Sequence, residues 1–237
     1  MPRSLAARNF RVKSACPPPD TPPPPPVLDL VLPALPCAGT LTLRGLRQAD
    51  RGPYDLQLPP GTCALVTGRS GAGKSRLLRM AADLDPHEGQ AWLGEHARDT
   101  MPAPLWRRQV CYVPAEPGWW DDNVRAHFPH AELAAPLLAR LGLPDGILDA
   151  PVARLSTGER QRLALLRALG PSLRCLLLDE PTAALDPDTA QRVVALLQDV
   201  KAAGVAILLV THHPGQFDAL ADVRHALAPG GLERQQP

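Results

Sequence analysis

The chain has 237 residues, of which 45% are hydrophobic and 21% are charged, and its formal net charge is +1. This length suits one large α/β domain or two small ones, and the hydrophobic content is typical of a globular protein with a core. The near-neutral charge argues against a nucleic acid or another polyanion as partner. Apolar runs such as 205–210 are far shorter than the ~18 residues that a bilayer requires, so we predict no membrane-spanning segment.

Five cysteines are spread along the sequence, at positions 16, 37, 63, 111 and 175, without a CxxC pair or a close Cys/His grouping. Zinc sites and disulfide frameworks require clustered or regularly spaced cysteines. We therefore expect reduced thiols that serve as small apolar residues, and a cytoplasmic environment.

Residues 1–38 do not resemble a folded domain. Ten prolines lie between Cys16 and Pro36, and such a stretch favours an extended polyproline II conformation over a packed core. In composition, the basic residues ahead of it are weakly similar to an organelle transit peptide. A disordered arm, or a start codon assigned too far upstream, is the favoured interpretation, and a secretory signal is excluded because an apolar core is missing. We predict that the folded domain spans 39–230 and that 231–237 form a C-terminal tail.

The domain is predicted to combine strands and helices in alternation. Alternating apolar and polar residues at 41–43 and 54–58 indicate two half-buried antiparallel strands. Short apolar segments predict further strands at 63–67, 91–93, 110–113, 175–179 and 205–210, and the remaining pattern predicts helices at 74–82, 131–141, 159–169 and 188–203. Strands that alternate with helices imply a parallel sheet with crossover helices, so the predicted fold class is α/β.

A glycine-rich segment follows the strand at 63–67 and reads Gly68-Arg69-Ser70-Gly71-Ala72-Gly73-Lys74-Ser75. It fits the pattern GxxxxGK[ST], in which glycines let backbone N–H groups point into one concavity and the following helix adds its dipole. We predict that this phosphate loop and Arg76 bind the phosphates of ATP. Lys74 is expected to reach the β- and γ-phosphates, and the Ser75 hydroxyl is expected to hold Mg²⁺.

Two adjacent acids, Asp179 and Glu180, lie at the end of the strand at 175–179. Acids at the end of a buried strand are costly unless a cation or a reaction uses them. Alternation along the strand directs the two side chains to different faces. We assign Asp179 to Mg²⁺, directly or through water, and Glu180 to the attacking water as general base.

The segment 155–162 reads Leu-Ser-Thr-Gly-Glu-Arg-Gln-Arg. Taken alone, Ser156 and Glu159 fit a helix capping box. Placed between the phosphate loop and the carboxylate pair, the segment resembles the signature sequence of ATP-binding cassette (ABC) ATPases, whose pattern is Leu-Ser-Gly-Gly-Gln. Thr157 and Glu159 depart from that pattern, and 155–162 is named the signature segment on the basis of the resemblance.

In that family the signature closes over ATP held by another cassette, so the resemblance implies a second cassette as partner. Ser156 and Gly158 are the retained positions that would approach the γ-phosphate of that ATP. Asp186 lies in a loop similar to the one that crosses to the partner cassette, and it also fits an acidic N-cap of the next helix. His212, after the strand at 205–210, corresponds to the switch histidine that contacts the γ-phosphate.

Two positions around the same nucleotide depart from the family. Ala115 replaces a Gln that contacts Mg²⁺ or the attacking water, so reduced turnover or altered coupling is expected. Gln48 stands where an adenine-stacking aromatic residue is usual, and Arg47 beside it offers a guanidinium plane for stacking.

The resemblance extends over residues 40–227 and implies a P-loop NTPase fold with a RecA-like core, an antiparallel β-layer and a small helical subdomain near 116–160. It implies an ATP hydrolase that drives transport through a separate transmembrane permease. Such a subunit would be peripheral, at the cytoplasmic face of the inner membrane. The compact build resembles small bacterial cassettes, including those associated with metal or iron efflux.

Other function classes are weighed against this one. A soluble ABC protein acting on DNA or ribosomes is disfavoured, because such members carry long coiled-coil insertions or two cassettes, whereas Ser75 and Ser156 are only 81 residues apart. A nucleotide-dependent regulator with little turnover is motivated by Ala115 and Gln48, although the intact general base argues against it. A P-loop kinase would not require the signature segment.

Overall fold

The computed structural model describes residues 39–228 and 230–235, and the arm predicted at 1–38 lies outside these described residues. The strands are β1 (Leu41–Gln48), β2 (Arg51–Leu58), β3 (Cys63–Thr67), β4 (Glu88–Leu93), β5 (His96–Ala97), β6 (Val110–Val113), β7 (Cys175–Asp179), β8 (Ala206–Val210), β9 (Val223–Ala228) and β10 (Gly231–Gln235). The helices are α1 (Lys74–Ala81), α2 (Ala103–Gln109), α3 (Ala131–Leu138), α4 (Thr157–Ala168) and α5 (Pro187–Ala202). None of these helices is long and apolar enough to cross a membrane.

The larger sheet has six strands in the order β10-β9-β3-β8-β7-β6. All neighbouring pairs from β9 to β6 are parallel, which confirms the predicted parallel sheet and the α/β fold class. Strand β10 is antiparallel to β9 at the edge. Because parallel strands end at the same edge of a sheet, the loops after β3, β7 and β8 meet there.

Both faces of this sheet are buried. Leu176 and Leu178 of β7 belong to one hydrophobic cluster, and Leu177 between them belongs to the other. Helices α4 and α5 contribute to the first cluster, whereas α1 contributes to the second. A strand that is buried on both faces needs apolar residues at every position, which is why β7 and β8 show continuous apolar runs instead of alternation.

A second sheet has the order β2-β1-β4-β5, and its strands pair antiparallel, as the alternating sequence predicts. Leu41 and Leu43 of β1 are buried in the same cluster as Leu77 of α1. The turn from β1 to β2 brings Arg51 to the start of α1, where its guanidinium donates a hydrogen bond to the Ala72 carbonyl at 2.9 Å. The antiparallel layer therefore forms one side of the region around the phosphate loop.

Between β6 and α4 the chain forms α3 and four 3₁₀ turns, in the region predicted as a helical subdomain. The helix predicted at 131–141 is α-helical to Leu138 and continues as a 3₁₀ turn over Ala139–Leu141. Leu137 and Leu141 share a cluster with Leu163 of α4 and with residues of β7. This segment therefore packs on the α4–α5 face of the larger sheet.

Four of the helices and strands go beyond those predicted from the sequence, namely α2, β5, β9 and β10. Strand β10 occupies most of the segment that was expected to be a C-terminal tail. Strand β9 includes Arg224 and His225, and five of its six residues are half-buried, so it lacks the alternation that predicts a strand. Its conformation follows from pairing with β3 and β10, which the local sequence does not encode.

Candidate active site

A cavity of about 570 Å³ opens where the loops after β3, β7 and β8 meet. Its lining combines residues of the phosphate loop, the carboxylate pair and the β1–β2 turn: Asp50, Arg51, Ser70, Gly71, Gly73, Lys74, Ser75, Arg76, Ala115, Asp179, Glu180 and His212. The structure thus brings most of the predicted phosphate, metal and catalytic residues together, although they lie up to 142 residues apart in the chain from Ser70 to His212.

The phosphate loop has the backbone that its glycines predict. Gly71 and Gly73 adopt positive φ angles of 74° and 103°, which side-chain-bearing residues rarely adopt. A Cβ atom at Gly73 would also lie 3.3 Å from Arg51 Cδ and 3.4 Å from the Tyr54 hydroxyl. Helix α1 begins at Lys74, so the unpaired N–H groups of its first turn lie at the loop.

Backbone carbonyls of the phosphate loop hold the Lys74 side chain in place. Its side chain is 6% exposed, and Nζ donates to the Gly68 carbonyl at 2.9 Å and to the Arg69 carbonyl at 3.2 Å. Nζ also lies 3.3 Å from His212 Nε2. Burial lowers the pKa of the Lys74 ammonium, and the Glu180 and Asp179 carboxylates counteract part of this shift. The ammonium is therefore positioned at the centre of the predicted phosphate site.

Gly68, Arg69 and Ala72 belong to the predicted phosphate loop but do not line the cavity. Their carbonyls instead accept the hydrogen bonds that fix Lys74 and Arg51. These three residues thus shape the loop through their backbone. Whether their N–H groups bind phosphate stays a prediction.

Asp179 ends β7 and is 5% exposed. One of its carboxylate oxygens accepts a hydrogen bond from the Tyr112 hydroxyl at 3.0 Å. Burial, reinforced by the Asp179 charge, raises the pKa of Tyr112, so this hydroxyl stays a donor at neutral pH. Tyr112 therefore orients Asp179, and the sequence pattern gave no signal for this contact.

Glu180 follows β7 with a φ of 49°, in the left-handed region that residues other than glycine rarely occupy. Its Oε2 accepts hydrogen bonds from the Thr211 hydroxyl at 3.0 Å and from the His212 N–H at 3.2 Å. Its Oε1 is buried, lies 3.6 Å from His212 Nε2 and has no hydrogen-bond partner among the described residues. One oxygen is thus fixed by two hydrogen bonds, and the other forms none with the described residues.

The donor set of the cavity fits Mg²⁺ held together with a nucleotide. Ser75 and Asp179 supply a hydroxyl and a buried carboxylate to the same cavity. The described residues contain no cluster of three or more His, Cys, Asp or Glu side chains that would hold a metal ion by themselves. Mg²⁺ commonly takes only one or two protein carboxylates, with phosphates and water as its other ligands. Ser75 and Asp179 are thus sufficient protein ligands for that arrangement.

Ser156, Gly158 and Asp186 do not line this cavity. Ser156 is the N-cap of α4 and forms a complete capping box with Glu159, and Asp186 is the N-cap of α5. A Cβ atom at Gly158 would lie 3.1 Å from Leu185 Cδ2, so glycine permits close contact with the neighbouring loop. Within one chain, these three predicted nucleotide ligands therefore have local structural roles.

Comparison with known proteins identifies the family. The family model described as ABC transporter matches residues 52–183. The probable iron export ATP-binding protein FetA of Escherichia coli is 34% identical over 194 residues, which cover 77% of this chain and 86% of that protein. The chain belongs to the ABC transporter family. It is an ATP-binding subunit of this family and an ATP hydrolase.

Further ABC relatives and solved cassettes agree with this assignment. The cytochrome c biogenesis ATP-binding export protein CcmA of Bordetella bronchiseptica is 37% identical over 182 residues, or 71% of this chain and 80% of that protein. The alignment with the dimeric structure of the bacterial ABC transporter cassette MJ0796 covers 83% of this chain and 97% of the MJ0796 chain, with a TM-score of 0.68 at 21% identity. The alignment with a solved ATP-binding subunit of an ABC transporter covers 83% of this chain and 90% of that subunit, with a TM-score of 0.72 at 23% identity. These similarities confirm that this chain has the P-loop NTPase fold of the ABC cassettes.

Arg47 and Gln48 lie at the position where the ABC pattern has the adenine-stacking residue, but both are bonded to neighbouring residues of the chain. Arg47 pairs with Glu88 across β1 and β4, with Nε 2.8 Å from the carboxylate, and Gln48 donates to the Pro86 carbonyl at 2.9 Å. Neither residue lines the cavity, so the suggestion that Arg47 stacks on adenine is not supported. Arg51 lines the cavity instead.

Several residues at the ABC site were not singled out from the sequence: Asp50, Arg51, Tyr112, Gln161 and Thr211. They line the cavity or contact the carboxylates or backbone of Asp179 and Glu180 through tertiary contacts that no local motif encodes. For Thr211 the one signal was its place beside His212. Ala115 lines the cavity, as expected for the position at which the family has Gln.

Proposed function

We propose that this chain binds ATP with Mg²⁺ in the cavity, hydrolyses it, and drives transport through a separate transmembrane permease. The observation that carries the proposal is the convergence of Lys74, Asp179, Glu180 and His212 on one cavity beside the phosphate loop. A phosphate loop alone would suit many nucleotide-binding proteins. Phosphoryl transfer to water requires more: a lysine for the phosphates, a carboxylate for the metal ion and a carboxylate that can accept a proton, the roles we assign to Lys74, Asp179 and Glu180.

Each residue of the cavity has a separate role in the proposed reaction. Lys74 and the N–H groups at the start of α1 bind the β- and γ-phosphates and neutralise their charge. Ser75 and Asp179 would hold Mg²⁺, which would neutralise further charge on the phosphate oxygens. Glu180 Oε1 accepts the proton of the water whose oxygen attacks the γ-phosphorus, while the bond between that phosphorus and the bridging oxygen breaks and ADP leaves. His212 contacts the γ-phosphate.

A second cassette completes the site. Ser156, Gly158 and Asp186 do not line the cavity of their own chain, and the start of α4 combines a hydroxyl with a helix N-terminus, which suits an anion. We therefore expect these residues to contact ATP held by a partner cassette, in a homodimer or a heterodimer. Thr157, larger than the usual glycine, is expected to weaken closure.

The relatives' printed names support a transport role, from which we infer a membrane partner and a membrane location. FetA is described as a probable iron export protein, CcmA as an export protein of cytochrome c biogenesis, and a Ralstonia relative as an importer of aliphatic sulfonates. The similarity to FetA supports the resemblance to small iron-efflux cassettes. The range of cargoes indicates that specificity resides in the permease, and we expect peripheral binding at the cytoplasmic face of the inner membrane.

A nucleotide-dependent regulator with slow turnover is the second candidate. Ala115 favours it, because its methyl group lines the cavity where the family has an amide. The same hydrolysis assay separates the two candidates. A wild-type turnover no faster than that of a general-base variant would favour the regulator.

Substitution of Glu180 and Lys74 tests the proposed function. Glu180→Gln is expected to retain ATP binding and to lower kcat by about a hundredfold or more, since it removes the general base. Lys74→Ala is expected to weaken ATP binding and hydrolysis together. The measurements are phosphate release and calorimetric ATP binding by the full chain, with and without Mg²⁺. Exposed Glu95→Gln serves as the control for charge removal, and undiminished hydrolysis by Lys74→Ala would contradict the proposal.

A further inference from the structure

Gln161 connects the signature helix to the carboxylate site of the same chain. It lies on α4, five residues after the Ser156 N-cap, and is 3% exposed. Its Nε2 donates a hydrogen bond of 2.7 Å to the Glu180 carbonyl, whereas its Oε1 is buried without a hydrogen-bond partner among the described residues. Burying an amide with only half of its polar atoms bonded is unfavourable. Packing alone therefore gives no reason for Gln at this position.

The carbonyl that Gln161 contacts belongs to a backbone that needs support. The left-handed φ of Glu180 costs roughly 1–3 kcal/mol and persists only when surrounding contacts hold it. The Glu180 N–H donates to the Val210 carbonyl at 2.9 Å, and the Glu180 carbonyl also accepts from the Ala183 N–H at 3.2 Å. Gln161 adds the shortest of these contacts and the one that comes from α4.

We propose that Gln161 is a positioning residue for Glu180. By holding the Glu180 carbonyl, it fixes the backbone angle from which the side chain extends toward the cavity, while the Thr211 hydroxyl and the His212 N–H hold Oε2. The inference rests on the proposed function, in which Glu180 is the general base. It also gives α4 a double role, because the segment at its start is expected to contact ATP in the partner cassette. A displacement of α4 is thus expected to change the placement of Glu180.

Gln161→Met tests the proposal in the full chain. Methionine keeps the length and apolar stem of the side chain but cannot donate to the Glu180 carbonyl. Because a misplaced catalytic group costs rate without changing substrate contacts, kcat is expected to fall by about tenfold or more, with KM and ATP affinity within about twofold of wild type. The melting temperature is expected to stay close to that of the wild type, because removal of a half-bonded buried amide offsets the lost hydrogen bond. Gln191→Met, at an exposed position of α5, is the matched control.

A double variant distinguishes positioning from a general structural effect. If Gln161 acts through Glu180, adding Gln161→Met to Glu180→Gln is expected to cause no further loss of the residual hydrolysis. An unchanged kcat, a parallel loss of ATP binding, a lower melting temperature, failure to fold or an additive loss in the double variant would each overturn the inference. If Glu180→Gln alone left hydrolysis unchanged, the proposed function itself would fail. If the Glu180→Gln variant hydrolysed ATP slowly and the Gln161→Met variant hydrolysed it as fast as the wild type, only the positioning role would be refuted.

Discussion

At the scale of single residues, the cavity differs from the ABC pattern at the two ends of the nucleotide. Ala115 lines the cavity with Asp179 and Glu180 and offers no polar group, so an attacking water would have one fewer side chain to orient it. At the other end, Gln48 stands where an aromatic residue would be usual, Arg51 lines the cavity, and Tyr54, which is 1% exposed, packs beside Gly73. Both differences favour slower turnover or looser nucleotide binding than a cassette with the full pattern.

Arg51 and Arg47 form a matched pair for testing where the nucleotide lies. Arg51→Ala removes a side chain that lines the cavity and braces the phosphate loop through the Ala72 carbonyl. We expect ATP affinity to fall about fivefold, the equivalent of roughly one net hydrogen bond. Arg47→Ala removes only the surface pair with Glu88, so its affinity is expected to match wild type. Calorimetric titration with ATP measures both, and a larger effect from Arg47 would place the base at β1 instead.

At the scale of elements, the start of α4 shows how one segment serves folding and function together. The Ser156 hydroxyl accepts from the Glu159 N–H at 3.2 Å, and the Glu159 carboxylate accepts from the Ser156 N–H at 2.8 Å. Glu at position 159, a departure from the family's Gln, keeps the reciprocal cap and adds a negative charge in the first turn of the helix. The signature segment is therefore locally stable without a partner.

The Glu159 cap predicts a pH-dependent stability. The bond from the Ser156 backbone lowers the pKa of Glu159 in the folded chain. A lowered folded-state pKa stabilises the fold above the unfolded-state value of about 4.3, and this contribution disappears as pH falls through the folded-state value. Relative to Glu159→Gln, the wild type is expected to be more stable at pH 7 by less than about 1 kcal/mol. This advantage is expected to shrink below about pH 4.

Urea denaturation of both proteins at pH 7 and pH 3.5 measures this difference. Glu95→Gln, which changes an exposed charge in the turn after β4, provides the control for bulk charge. An advantage of the wild type that grew on acidification would contradict the assigned cap.

The sequence predicted the elements whose signals are local. Strands β3, β6 and β7 were predicted at their observed bounds, because each is a short apolar run next to a motif or turn. Helix α2 is only seven residues long and begins beside Pro102 and Pro104, so its periodicity is too short to recognise. In the site, phosphate-loop and carboxylate positions follow from spacing along the chain, whereas Tyr112, Gln161 and Thr211 act through contacts between distant elements. Such contacts depend on the completed fold.

At the scale of the whole molecule, the signature segment and the cavity are separate surfaces of one chain. The cavity is lined by the phosphate loop and by Glu180, the proposed general base, but not by Ser156, Gly158 or Asp186. The N-terminus of α4 has its cap satisfied within the chain, and Ser156 and Thr157 are exposed there. Two such chains related by a twofold axis would each supply the surface that the other lacks, which is the arrangement of an isologous dimer.

Trapped ATP is therefore expected to drive dimerisation. Glu180→Gln should retain ATP, and size-exclusion chromatography of the full chain with ATP and Mg²⁺ is expected to show a dimer that is absent without nucleotide. The same variant combined with Lys74→Ala should stay monomeric, because the partner's signature segment then has no bound phosphate to contact. If Glu180→Gln binds ATP and remains monomeric, the complementary cassette is a different chain. The unusual Thr157 and Ala115 would then mark this protein as the slower half of a heterodimer.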